Sequence, residues 1–232
     1  PRAELYSFGT GKRELIGETR LDSTITSFES IKYAKTDEGT SIYADALCAD
    51  GSSMVTEFIY WSDYYNSIIS PFYSYSTGRT KETLRSSQVT CRDIDDDGYI
   101  EIPEDTSSKK QSSEITSQNW VNYGNTVLSH KCYSFSCKRD GYILVIDDDD
   151  FSKVKANYDS ESRKLTIIDK KNKSNVFEIV TLINSNYSVN DPKYKDYTMI
   201  MKNSGFVYLA KVNKSSDIDI NIQTLKDMIK VY

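Results

Sequence analysis

The sequence predicts a mainly β protein with an α+β C-terminal part: antiparallel meanders, then an antiparallel sheet packed by a C-terminal helix. Three observations carry this. Tyrosine is unusually frequent, 18 of 232 residues, a composition that suits half-buried pleated surfaces. Short apolar–polar alternations recur between turn-forming links along most of the chain. Only residues 218–232 repeat apolar side chains convincingly at helical spacing, through Ile222, Leu225, Ile229 and Tyr232.

Taken in order, residues 4–8 and 13–21 read as two strands, with Gly9, Thr10, Gly11 and Lys12 as the hairpin link. The Gly11-Lys12 pair is not a phosphate loop, because the remaining glycine, the Ser/Thr and the following helix are missing. Residues 30–34, 41–47 and 54–61 form a three-stranded meander with polar turns at 36–39 and 49–52. Residues 66–72 add a short strand that Pro71 ends. Phe58, Tyr60, Trp61, Tyr64, Tyr65, Phe72, Tyr73 and Tyr75 cluster here, and core plus half-buried sheet surface is favoured over a sugar-stacking platform. Residues 77–85 are polar, with room for a short helical turn, and 86–91 read as a strand leading into an acidic loop that 99–102 leaves.

That loop is the clearest chemical statement in the chain. In Asp93-Ile94-Asp95-Asp96-Asp97-Gly98-Tyr99-Ile100-Glu101, alternate side chains are carboxylates, a glycine turns the chain and a fourth carboxylate follows on a short apolar strand. A hard cation such as Ca²⁺ takes about six to eight oxygens from a flexible backbone, and it relieves repulsion among clustered carboxylates. The competing reading is an Asx-rich turn that caps itself through side-chain to backbone bonds.

Residues 104–117 have almost no apolar content and read as a linker or long exposed loop. Two domains are therefore expected, 1–117 and 118–232. In the second, 119–127, 132–137, 142–146, 153–158, 164–169 and 176–183 are strand candidates, and 197–202 with 206–211 form a hairpin around Asn203-Ser204-Gly205. The run Asp147-Asp148-Asp149-Asp150 lacks the alternation, the glycine and the following carboxylate, and reads as a solvated turn that caps a helical turn at 151–153.

A net charge of −5 argues against nucleic acid and anionic membrane as principal partners. No apolar run is long enough for a transmembrane helix. Cys48, Cys91, Cys132 and Cys137 permit two disulfides in three pairings; the favoured reading is four reduced, partly buried structural residues. The spacing of Cys132 and Cys137 does not suit a redox or zinc pair, and a single histidine, His130 in the polar stretch Ser129-His130-Lys131, makes a Cys/His zinc site unfavourable. The chain starts at Pro1 and reads as a trimmed piece of something longer.

The pattern Asp93-x-Asp95-x-Asp97-Gly98-x-x-Glu101 resembles the calcium loops of FG-GAP and related repeats, built as β-propeller blades. The resemblance implies ligation by Asp93, Asp95, Asp97 and Glu101 and by the backbone carbonyl of Tyr99. Pro103 stands where the exiting helix of an EF-hand would run. Over residues 5–103 the chain looks like FG-GAP/VCBS-type surface lipoproteins of Gram-positive gut bacteria. The features that carry this are Gly11-Lys12-Arg13-Glu14-Leu15-Ile16-Gly17-Glu18, Met54-Val55-Thr56-Glu57, Thr83-Leu84-Arg85 and Ile100-Glu101-Ile102-Pro103. There is room for about two blades, fewer than a closed propeller needs. The second half resembles small α+β domains of the PsbP-like type in element order. Together these imply an exported protein, lipid-anchored to the cell surface through a region upstream of Pro1.

The expected function is a non-catalytic binding or scaffold module of a bacterial lipoprotein, with a structural Ca²⁺ loop and an extracellular protein or glycan as partner. The alternative is a carbohydrate-active or other hydrolytic enzyme using a carboxylate pair. No Ser, Cys or His sits in a recognisable catalytic context.

Overall fold

In the computed structural model, which describes residues 1–9, 11–106, 114–124, 126–188, 191–213 and 218–232, the alternating segments become antiparallel strands. The chain divides into two units, residues 1–105 with 119–131, and residues 106–118 with 132–232. The boundary expected at 117/118 falls inside a strand, and the residues between, 107–113, lie outside the described ones.

The first unit opens with the hairpin β1 (Arg2–Ser7) and β2 (Glu14–Arg20), paired with one bulge after Leu5. Four strands follow as one meander: β3 (Ile25–Thr36), β4 (Gly39–Cys48), β5 (Met54–Ser62) and β6 (Ser67–Ile69). Every residue from Met54 to Tyr60 is buried, so β5 is covered on both faces. On one face Phe58 and Tyr60 pack with Tyr43, Phe72, Ile100, Ile102 and Tyr123, with Phe58 4.6 Å from Tyr123 between ring centroids. On the other, Ile59 joins Leu21 and Ile68, and Val55 joins Ala46 and Cys48. The aromatic cluster divides as its chemistry dictates: Phe58, Tyr60 and Phe72 are core, Trp61 and Tyr73 are half-buried, and Tyr64, Tyr65 and Tyr75 are exposed. A short pair, β7 (Tyr73–Ser74) and β8 (Arg79–Thr80), occupies the region where a helical turn was expected.

The strand expected at 86–91 does not form. Its backbone groups are taken by side chains instead: Arg85 Nε donates to the Val89 carbonyl at 2.8 Å, the Cys91 N–H donates to Asp45 Oδ2 at 2.9 Å, and Lys32 Nζ donates to the Cys91 carbonyl. With those groups satisfied there is no ladder to join. Pairing survives only as single bridges, Met54 with Arg85 and Arg92 with Glu101. Beyond the second bridge runs β9 (Ile102–Asp105), and β10 (Ile115–Gly124) and β11 (Val127–Cys137) form the following hairpin. His130 therefore sits on a strand rather than in a turn, where its Nδ1 meets Asn119 Oδ1.

In the second unit β11 pairs with β12 (Tyr142–Ile146). The acidic run itself is helical, as α1 (Asp148–Phe151), with Asp147 at the N-cap position, so the helical turn precedes the place expected for it. Three carboxylates in the first turn suit the positive end of the helix dipole. A second sheet is built from β13 (Val154–Asp159), β14 (Lys164–Asp169), β15 (Asn175–Ile183), β16 (Thr198–Lys202) and β17 (Phe206–Val212), in the order β13-β14-β15-β17-β16. Its core includes Leu165, Ile167, Phe177, Ile179 and Tyr208, with Phe135, Tyr142 and Leu144.

The C-terminal helix is shorter than the periodicity predicts. α2 (Ile222–Met228) is capped by Asn221, whose Oδ1 accepts from the Gln223 and Thr224 N–H groups, and Leu225 is its buried anchor. The chain then extends into β18 (Ile229–Val231), paired antiparallel with β12. A seven-residue helix is marginal alone, and Ile229 and Val231 satisfy their backbone in an available ladder instead. No helix among the described residues is long and apolar enough to cross a membrane.

Candidate cation site

The acidic loop is closed at its base by the reciprocal Arg92–Glu101 bridge, with N···O distances of 3.1 and 2.9 Å. Ile94, fully buried, and Ile100 anchor it from within, so the polar residues between them are presented on one side. Asp93 organises the turn: its Oδ1 accepts from the Asp97 N–H at 3.0 Å and its Oδ2 from the Gly98 N–H at 2.8 Å. Asp97 Oδ1 accepts from the Tyr99 N–H at 2.9 Å. To reach these partners the backbone turns left-handed at Asp96 (φ 62°) and Gly98 (φ 90°). A Cβ at Gly98 would meet nothing within 4 Å, so Gly98→Ala tests backbone strain alone. We expect it to lower stability by about 1–2 kcal/mol in denaturant titration; an unchanged midpoint would mean the turn relaxes freely.

Of the residues expected to ligate, Asp93, Asp95 and Glu101 converge: one carboxylate oxygen from each lies within 4.8 Å of the other two. Two oxygens bound to one Ca²⁺ at about 2.3–2.6 Å are at most about 5 Å apart, so the three fit a single ion. Asp97 is not in that group, and Tyr99 is exposed. Asp97 instead has a partner from far along the chain. Lys131 Nζ, on β11, lies 2.5 Å from Asp97 Oδ2 and 3.0 Å from Asp95 Oδ2. Its hydrogen bond holds the Asp97 carboxyl below its ordinary range, and the two carboxylates in turn raise the Lys131 ammonium.

Glu101 is fully buried. Its Oε2 accepts from the Ile94 N–H at 2.9 Å, while Oε1 has no hydrogen-bond partner among the described residues. Burial is the main force pushing its carboxyl up to about 7; the Ile94 N–H opposes this, and Asp95, Asp97 and Asp93 add to it.

Sequence reasoning missed Lys131, because only folding of the β10–β11 hairpin brings it to the loop. It also missed two buried networks in the first unit. Arg85 and Asp45, both fully buried, pair at 2.8 Å, and Thr56 donates to the same Asp45 oxygen. Glu57 accepts from the Asp22 N–H, Ser70 Oγ and Thr80 Oγ1, while Asp22 accepts from Arg79 Nε. A charged residue inside an otherwise apolar strand, as Glu57 is, was the available signal. The acidic run at 147–150 forms no metal-spaced group among the described residues. Cys48, Cys91 and Cys137 are buried thiols, and burial raises the Cys137 thiol to about 12.

A groove of about 620 Å³ in the first unit is lined by Arg2, Glu18, Arg20, Tyr73 and Tyr75 among others, with Glu18 its one carboxylate side chain among the described residues. Comparison of the chain with protein-family models, with curated proteins and with solved structures finds no match.

Proposed function

We propose that the chain is a non-catalytic binding or scaffold module whose first unit is pinned by a hard divalent cation of the calcium class, held by Asp93, Asp95 and Glu101. The observation that carries this is the unpartnered, fully buried Oε1 of Glu101 within a group of three carboxylates. A buried carboxylate oxygen without a partner is costly, and a cation supplies what the protein does not. A self-capped turn accounts for Asp93, for one oxygen of Asp97 and for Oε2 of Glu101, but not for Glu101 Oε1.

The cation's role in this reading is structural, because the loop joins the Arg92–Glu101 bridge to the aromatic core through Ile100 and Ile102. Extracellular modules of this kind bind weakly, with Kd on the order of 10⁻⁴–10⁻³ M. Millimolar calcium outside cells then favours an exported protein, and an extracellular protein or glycan as its partner. The FG-GAP-like spacing of the loop supports the same reading.

Thermal unfolding in chelator and in a calcium series tests it, since a ligand of the folded form stabilises by RT ln(1 + [L]/Kd). At ten times Kd that is about 1.4 kcal/mol, a rise of a few degrees. The rise saturates in the native protein and is absent in Asp95→Asn. A flat series in the native protein and in a variant lacking the Lys131 ammonium would sink the proposal.

A further inference from the structure

We propose that Lys131 is a built-in competitor for this site: its ammonium occupies the outer carboxylates, a divalent cation must displace it, and its release hands Asp97 to the ion as a further ligand. The inference rests on the cation reading above and specifies how that site is regulated.

The geometry divides the loop's carboxylates into two sets that share one member. Lys131 Nζ bridges Asp95 and Asp97, while the metal-spaced group is Asp93, Asp95 and Glu101. Asp95 belongs to both, so a positive charge already at its carboxylate repels a second. Lys131 forms no ion pair with Asp93 or Glu101 among the described residues, so it does not relieve the buried oxygen. The lysine is a partial substitute for a metal.

It is also a replaceable one. Its side chain is 31% exposed and those of both carboxylates 32%, so the ion pairs are solvent-screened and individually weak. A divalent ion brings twice the charge and reaches Glu101 as well. Once the lysine leaves, Asp97 Oδ2 loses its partner, while Asp97 Oδ1 remains held by the Tyr99 N–H. The free oxygen then belongs to the third aspartate of the Asp93-x-Asp95-x-Asp97 alternation, one of the ligands the resemblance implies.

Titration calorimetry with Ca²⁺ alone, on the native protein, Lys131→Met, Lys131→Arg and Lys131→Met/Asp97→Asn, tests this. Two screened ion pairs must break before the ion can enter, a cost of a few-fold to about tenfold in affinity. We therefore expect Lys131→Met to bind a few-fold to about tenfold more tightly, Lys131→Arg to stay near native, and the double variant to lose most of the gain. Lys131→Met melts at a lower temperature in chelator and shows the larger calcium-induced rise, which separates competition from misfolding. Native and Lys131→Met proteins binding with equal affinity would overturn the competition while leaving the cation site standing. A gain that survives Asp97→Asn would overturn the recruitment of Asp97. Binding only in Lys131→Met would support the competition, with the lysine the stronger occupant. No heat from either protein would sink the site itself, and the competition with it.

Discussion

Glu101→Gln is expected to stabilise the calcium-free protein at pH 8 and to weaken its response to calcium sharply. The two effects have opposite signs because one carboxylate serves both. In chelator above pH 7 the buried Glu101 is ionised, with Ile94 alone donating to it and three aspartates nearby. A glutamine keeps the Ile94 bond and turns an amide toward Asp93 and Asp95. In calcium the amide can offer only a neutral carbonyl oxygen, without the charge the ion attracts.

The pH dependence follows from the same residue. Its folded pKa, about 7, lies above the ordinary 4.5. Between those values the folded state holds a proton that the unfolded chain has lost, so in chelator this group's contribution to stability falls as pH rises. The slope is about 1.4 kcal/mol per pH unit, and the total is on the order of 3 kcal/mol, complete above pH 7. Urea midpoints from pH 5 to pH 8 in chelator measure this as the difference between native protein and Glu101→Gln. Calcium flattens that difference, because the ion favours the ionised form. Parallel curves for the two proteins in chelator would show that the carboxyl titrates normally and that its burial costs nothing.

Arg85→Met carries the largest expected loss, about 3–5 kcal/mol in chemical denaturation. Arg85 and Asp45 have no solvent exposure, and the guanidinium also holds Thr56 Oγ1, the Thr83 carbonyl and the Val89 carbonyl. Removing it leaves a buried aspartate with only neutral donors, from Thr56 and Cys91. It also releases the segment that delivers the chain from Val89 to the acidic loop, so calcium binding should weaken as well. The double variant Arg85→Met/Asp45→Asn recovers part of the stability, because the uncompensated charge is gone. A single-variant loss below about 1 kcal/mol would mean that the hydrogen bonds to Asp45 suffice.

The strands of both units were legible wherever alternation was clean and turns were marked, as in β4, β5, β14 and β17. The segment 86–91 has the alternation but not the strand, because Asp45, Arg85 and Lys32 occupy its backbone groups from elsewhere in the chain. At the C-terminus Ile229 keeps helical spacing with Leu225 yet pairs in β18 with Leu144 of β12. Periodicity describes which side of an element faces inward; it does not say whether another strand offers a ladder to compete with the helix.

The sequence by itself determined the mainly β fold, the turn at Gly98 and the set of carboxylates from which a cation site can be built, since these depend on local spacing and backbone freedom. Only the tertiary structure decided which of those carboxylates meet. It buried Glu101 and left one of its oxygens unpartnered, and it brought Lys131, 34 residues beyond Asp97, to pair with Asp95 and Asp97. Charge compensation acts through space, so its outcome is fixed by the packing that sets distance and solvent access, not by position along the chain.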